Sequence, residues 1–102
     1  MKFYIVDAFS SAAFGGNPAG VVMIPKGEDF PSVSLMQKTA AELRYSETAF
    51  VKRLNEKEFH TRYFTPAAEV DLCGHATIGA FSVMLKEGII SKEQEYMNHT
   101  LA

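Results

Sequence analysis

The 102-residue sequence predicts an α+β fold in which strands wrap a single buried helix. Three observations predict it. Four short segments, KFYIVDAF, GVVMI, SETAFVKR and EFHTRYFT, are rich in β-branched and aromatic residues and are bounded by Gly, Pro or polar links. One segment, LMQKTAAEL, carries apolar residues at three- and four-residue spacing. Another, HATIGAFSVMLKE, is apolar on nearly every side until Lys86. A helix without a polar face has to be enclosed, and strands are the material available to enclose it.

Taken in order, residues 2–9 read as the first strand and residues 10–20, SSAAFGGNPAG, as a loop punctuated by Gly15, Gly16, Asn17 and Pro18. Asn17 with Pro18 is expected to form a fixed turn. Residues 20–24 form a short second strand ended by Pro25 and Gly27. Leu35, Met36, Thr39, Ala40 and Leu43 form the stripe of an amphipathic helix over 32–44, with Ser34 and Gln37 fitting a capping box and Pro31 or Ser32 offering an earlier start. Residues 46–53 and 58–65 form two further strands, joined as an antiparallel hairpin by the short polar link LNEK and ended by Pro66. The second helix spans 75–87, with Gly88 just past its end. Residues 89–102 are polar and bring no new core. These elements are too few to enclose the second helix. The expectation is therefore an incomplete first domain over 1–88, and a polar tail over 89–102 leading toward missing strands.

Composition narrows the function. A net charge of −2 gives nothing for nucleic acid or an anionic membrane to grip. No apolar run approaches the roughly 18 residues of a membrane span. Asp7 falls too early for a signal-peptide core, so the expected location is cytoplasmic. The single Cys73 excludes an internal disulfide, and three scattered histidines make no recognisable metal site.

Two stretches carry candidate chemistry. In RYSETAFV, strand alternation puts Glu47 on one side with Ala49 and Val51. A carboxyl beside such neighbours is partly desolvated and holds a proton more readily, as general acid/base work near neutral pH requires. The plainer alternative is a strand-end acid in solvent, or one paired with Arg44 or Arg62. In EVDLCGHATIG, Gly74 lets other groups approach a helix start. The N–H groups of His75, Ala76 and Thr77, with the helix dipole, form a site suited to a substrate carboxylate. His75 could add a hydrogen bond or a proton. The plainer alternative is that Gly74 serves packing while Asp71 or Thr77 caps the helix. Cys73, beside the helix start, is a minor candidate as a thiol base and otherwise inert filler.

VDAF with FGGNPAGVV, then SETAFV, then FTPAAEVDLCGHATIGA, occur in that order between about residues 5 and 88. Each motif alone is weak, but in series they resemble the N-terminal part of the PhzF family, the phenazine-biosynthesis-like proteins. The resemblance implies a diaminopimelate-epimerase-like fold: two similar domains, each a curved sheet or barrel around a central helix, with the active site between them. It implies a cofactor-independent isomerase or epimerase that needs no metal, acts on a small carboxylate-bearing molecule, forms a homodimer when complete, and is much longer than this chain. Carried over, Glu47 is the acid/base and Ser46 assists substrate placement. Gly74, His75, Ala76 and, less directly, Thr77 bind substrate, and Asn17 supports them. The family's second-domain acid has no counterpart in these residues, so the chain alone is expected to be inactive. The rival readings are a non-catalytic fragment or interaction module associating through an open sheet edge, and a thiol-based racemase using Cys73.

Overall fold

The computed structural model of the protein describes residues 2–8 and 17–101; for residues 2–8, 17, 18 and 75 it describes the backbone alone. Among the described residues, six strands and two helices follow in the order β1 (Lys2–Ala8), β2 (Asn17–Met23), α1 (Val33–Leu43), β3 (Glu47–Asn55), β4 (Glu58–Phe64), β5 (Glu69–Val70), α2 (Gly74–Lys86) and β6 (Met97–His99). They form one sheet in the order β1-β2-β3-β4-β5, with β6 also pairing β4. This is the α+β class expected. The second strand begins earlier than its apolar run, because Asn17 and Pro18 pair with Ala8 and Asp7 in an antiparallel ladder. The turn expected at Asn17–Pro18 is thus the start of a strand, while Gly15 and Gly16 lie outside the described residues.

β2 and β3 run parallel, which requires a crossover, and α1 supplies it. The helix starts at Ser32, not at the Ser34 of the expected box: Ser32 Oγ accepts from the N–H of Leu35 at 3.1 Å. Gln37 is not part of a cap; its amide donates to Thr65 O at 2.9 Å and ties the helix to the end of β4. Arg44 closes the helix in the left-handed region, φ 61°, donating its N–H to Ala40 O. β3 and β4 form the expected hairpin, with a register irregularity between Arg53 and Asn55.

The sheet has a different core on each face. Val22, Ile24, Phe50 and Phe64 meet Met36 and Ala40 of α1. On the other face Ala19, Val21, Ala49, Val51, Phe59 and Tyr63 meet Ala76, Ala80, Val83 and Met84 of α2. The alternation of β3 sorts its residues between these two cores. Ile89, Ile90 and Tyr96 pack against the α2 core, so the segment after α2, expected to add nothing, contributes apolar area. The burial of α2 is one-sided among the described residues: Ile78 is 48% and Leu85 37% exposed on the side away from the sheet. No helix is long and apolar enough to cross a membrane among the described residues.

Candidate active site

α2 lies against β1, β2 and β3, and its direction is fixed at both ends. Arg53, near the end of β3, donates to Asn55 O, Glu56 O and Ile89 O, which joins the hairpin turn to the chain just beyond the C-terminus of α2. Tyr63, paired with Ala49 near the start of β3, touches Thr77 in the first turn of α2 at 2.6 Å. The helix therefore runs in the direction of β3, and its N-terminus lies at the end of the sheet where Glu47 begins the strand.

Glu47 pairs in register with Ala19 of β2 and alternates with Ala49 and Val51, whose side chains are fully buried under α2. The residue is half-buried, and its Oε2 atom is shielded from solvent. It is not a strand-end acid waving in water. Arg62 belongs to the other face. It grips Glu69 with two hydrogen bonds of 2.7 Å and stacks over Phe30 and Phe64. Those paired bonds hold the Arg62 guanidinium charged, above its usual range. Arg44 is used as the left-handed cap of α1. Ser46 is exposed and directly precedes β3, beside Glu47.

The start of α2 differs in detail from the expectation. Cys73 is the extended residue preceding the helix, and its side chain makes no capping hydrogen bond. The N–H of Thr77 already reaches Cys73 O at 3.0 Å, and the Thr77 hydroxyl donates to the same carbonyl at 2.8 Å. Thr77 is thus committed to the helix start. The N–H groups with no intrahelical carbonyl to reach shift by one, to Gly74, His75 and Ala76. Among the described residues a methyl group at Gly74 would meet nothing within 4 Å, so they give Gly74 no packing role. A ligand carboxylate would need that space to approach those amides. The Ala76 side chain is buried in the α2 core, so only its backbone faces outward. The side chains of His75 and Asn17 lie outside what is described.

The residues that sequence reasoning missed are Tyr63, Thr61 and Asn98. Thr61 and Tyr63 alternate with Phe59 on the α2 face of β4, both fully or almost fully buried. Two hydroxyls on an otherwise apolar strand face were a legible sign that polar partners lie across from them.

The family model for phenazine biosynthesis-like proteins, PhzC-PhzF, matches residues 6–102. The chain belongs to that family. An uncharacterized isomerase of Halalkalibacterium halodurans is 42% identical over 97 residues, covering 95% of this chain and 35% of the relative. The crystal structure of a PhzC/PhzF protein from Clostridium difficile superposes with a TM-score of 0.80 at 40% identity, over 97% of this chain and 36% of that one. A Pseudomonas aeruginosa structure described as a predicted epimerase gives a TM-score of 0.80 at 27% identity, over 98% and 34% of the two chains. The chain thus spans about a third of the length of these relatives. The matched region takes in both halves of the candidate site, the start of β3 and the start of α2.

Proposed function

We propose that this chain supplies the acid/base group and one anion-binding wall of a cofactor-independent isomerase or epimerase acting on a small carboxylate-bearing molecule. One observation carries the reading: a shielded carboxyl, Glu47, stands on the α2 face at the same end of the sheet as the N-terminus of α2. The isomerase and epimerase names of relatives with the PhzC-PhzF pattern agree with it.

In this reading the backbone N–H groups of Gly74, His75 and Ala76 hold the substrate carboxylate, which places an adjacent C–H before Glu47. The carboxylate of Glu47 takes the proton, and the C–H electron pair spreads into the neighbouring unsaturated group. The same carboxyl returns the proton to carbon at a different position or face. The positive end of α2 stabilises the charge that develops. Sodium salts of a panel of small unsaturated carboxylic acids, incubated in D2O with a form of the protein as long as its relatives, should lose a carbon-bound proton signal by NMR. Glu47→Gln should abolish that exchange while leaving the fold intact. Persistent exchange in a folded Glu47→Gln protein rejects the assignment.

A second reading, a binding module, is favoured by the exposed Ile78 and Leu85 on the outer side of α2. Sedimentation of the 102-residue chain separates the two: association that Ile78→Lys abolishes supports the module.

A further inference from the structure

A single hydrogen-bonded chain runs from β6, through β4, into the first turn of α2. Thr61 Oγ1 lies 2.6 Å from Asn98 Oδ1, Asn98 Nδ2 lies 3.2 Å from Tyr63 Oη, and Tyr63 Oη lies 2.6 Å from Thr77 Oγ1. Thr77 Oγ1 in turn lies 2.8 Å from Cys73 O. Tyr63 is fully buried and Thr61 almost so. The chain has one direction. A backbone carbonyl can only accept, so the Thr77 hydroxyl spends its proton on Cys73 O, and the Tyr63 hydroxyl must then donate to Thr77. The Tyr63 oxygen is left to accept, and Asn98 presents its NH2 to it. The distances agree with that amide orientation: the O–H···O contact to Thr61 is short, and the N–H···O contact to Tyr63 is longer.

Asn98 is the member of this chain that belongs to β6. It stands beside Phe59 in the parallel pairing of β6 with β4. We infer that Asn98 and Tyr63 are positioning residues for the start of α2: docking of β6 brings the Asn98 NH2 to the Tyr63 oxygen and so leaves the Tyr63 hydroxyl free to donate to Thr77, and that hydroxyl holds the first turn in place. That this first turn receives a substrate carboxylate rests on the function proposed above; the coupling itself does not.

The decisive variant is Asn98→Asp, nearly the same shape but with no NH2. An aspartate there accepts from Thr61 as before, and offers an acceptor that draws the Tyr63 proton away from Thr77. A purely structural side chain would tolerate the exchange; a direction-setting one would not. Amide hydrogen exchange by NMR on the ligand-free 102-residue chain reads the result at the N–H of Thr77, with the N–H groups of Phe50 and Val51 as reference. Asn98→Asp and Tyr63→Phe should each speed Thr77 exchange about five- to tenfold, the weight of one hydrogen bond. The reference amides should stay unchanged, and the double variant should add little to either single one. Asn98→Ala is the second probe if the aspartate disturbs β6. An Asn98 variant that folds and leaves Thr77 exchange at the wild-type rate overturns the inference, as does full additivity with Tyr63→Phe. Titration of the wild-type chain with sodium acetate distinguishes the two ideas. Unmoved Gly74–Ala76 amides, with the exchange coupling present, count against the carboxylate subsite and leave the positioning role standing. Moved amides without coupling do the reverse.

Discussion

Gly74→Ala separates a glycine kept for packing from one kept for access. Among the described residues the added methyl group meets no atom within 4 Å, so it brings neither clash nor contact there. Gly74 is the first residue of α2 and its backbone is not in the left-handed region, so alanine adopts the same conformation without strain. Alanine also loses less conformational freedom on folding. The fold should gain about 0.4–1 kcal/mol, seen as a higher urea midpoint with an unchanged slope. The effect on a ligand should have the opposite sign. A carboxylate drawn to the amides of the first turn must come within about 3 Å of them, through the space the methyl group now fills. Affinity should fall at least tenfold, about 1.4 kcal/mol, read as a loss of proton exchange at subsaturating substrate. A variant that is destabilised by more than about 1 kcal/mol would show that Gly74 packs after all. One that is stabilised and binds or turns over as before would show that no ligand comes there.

Three further predictions concern the frame around the site. Arg44→Gly should be neutral or stabilising by up to about 1 kcal/mol in thermal unfolding, because Arg44 sits at φ 61°, whereas the β-branched Arg44→Val should destabilise. Glu69→Gln breaks the two-pronged grip on the partly buried Arg62 and should cost about 2 kcal/mol in urea unfolding, with exchange rising first in β5. His60 is held below its ordinary value by burial, and by the charges of Arg62, His99 and Lys52, against a weaker opposite pull from Asp29. The unfolded chain then binds the proton more readily than the fold does. Stability is therefore undiminished above the unfolded value of about 6.5 and is lost as pH falls through it toward the lower folded value. His60→Phe, which keeps a ring against the edge of Phe30, should flatten that slope between pH 7 and 5. An unchanged slope would remove His60 from the account.

The sequence by itself determined the class, the two helices, the four longer strands and their periods. Strand alternation placed Glu47 with Ala49 and Val51, and that face is the one α2 covers. The apolar character of α2 on nearly every side was also legible, and among the described residues Ile78 and Leu85 of that surface are exposed. These follow from local rules, because burial writes a period into the chain wherever one face is wet. Tertiary structure alone decided the rest. β6 is the three-residue segment Met97–His99, too short for any period, and it is a strand only because the edge of β4 accepts it. Asn17 and Pro18 extend β2 because β1 lies opposite. Which N–H groups of α2 are left without an intrahelical carbonyl depended on Cys73, not Gly74, preceding the helix, a shift of one residue that no spacing reveals. The chain from Asn98 to Thr77 joins residues more than twenty positions apart, and its direction follows from proton counts at atoms that only folding brings together.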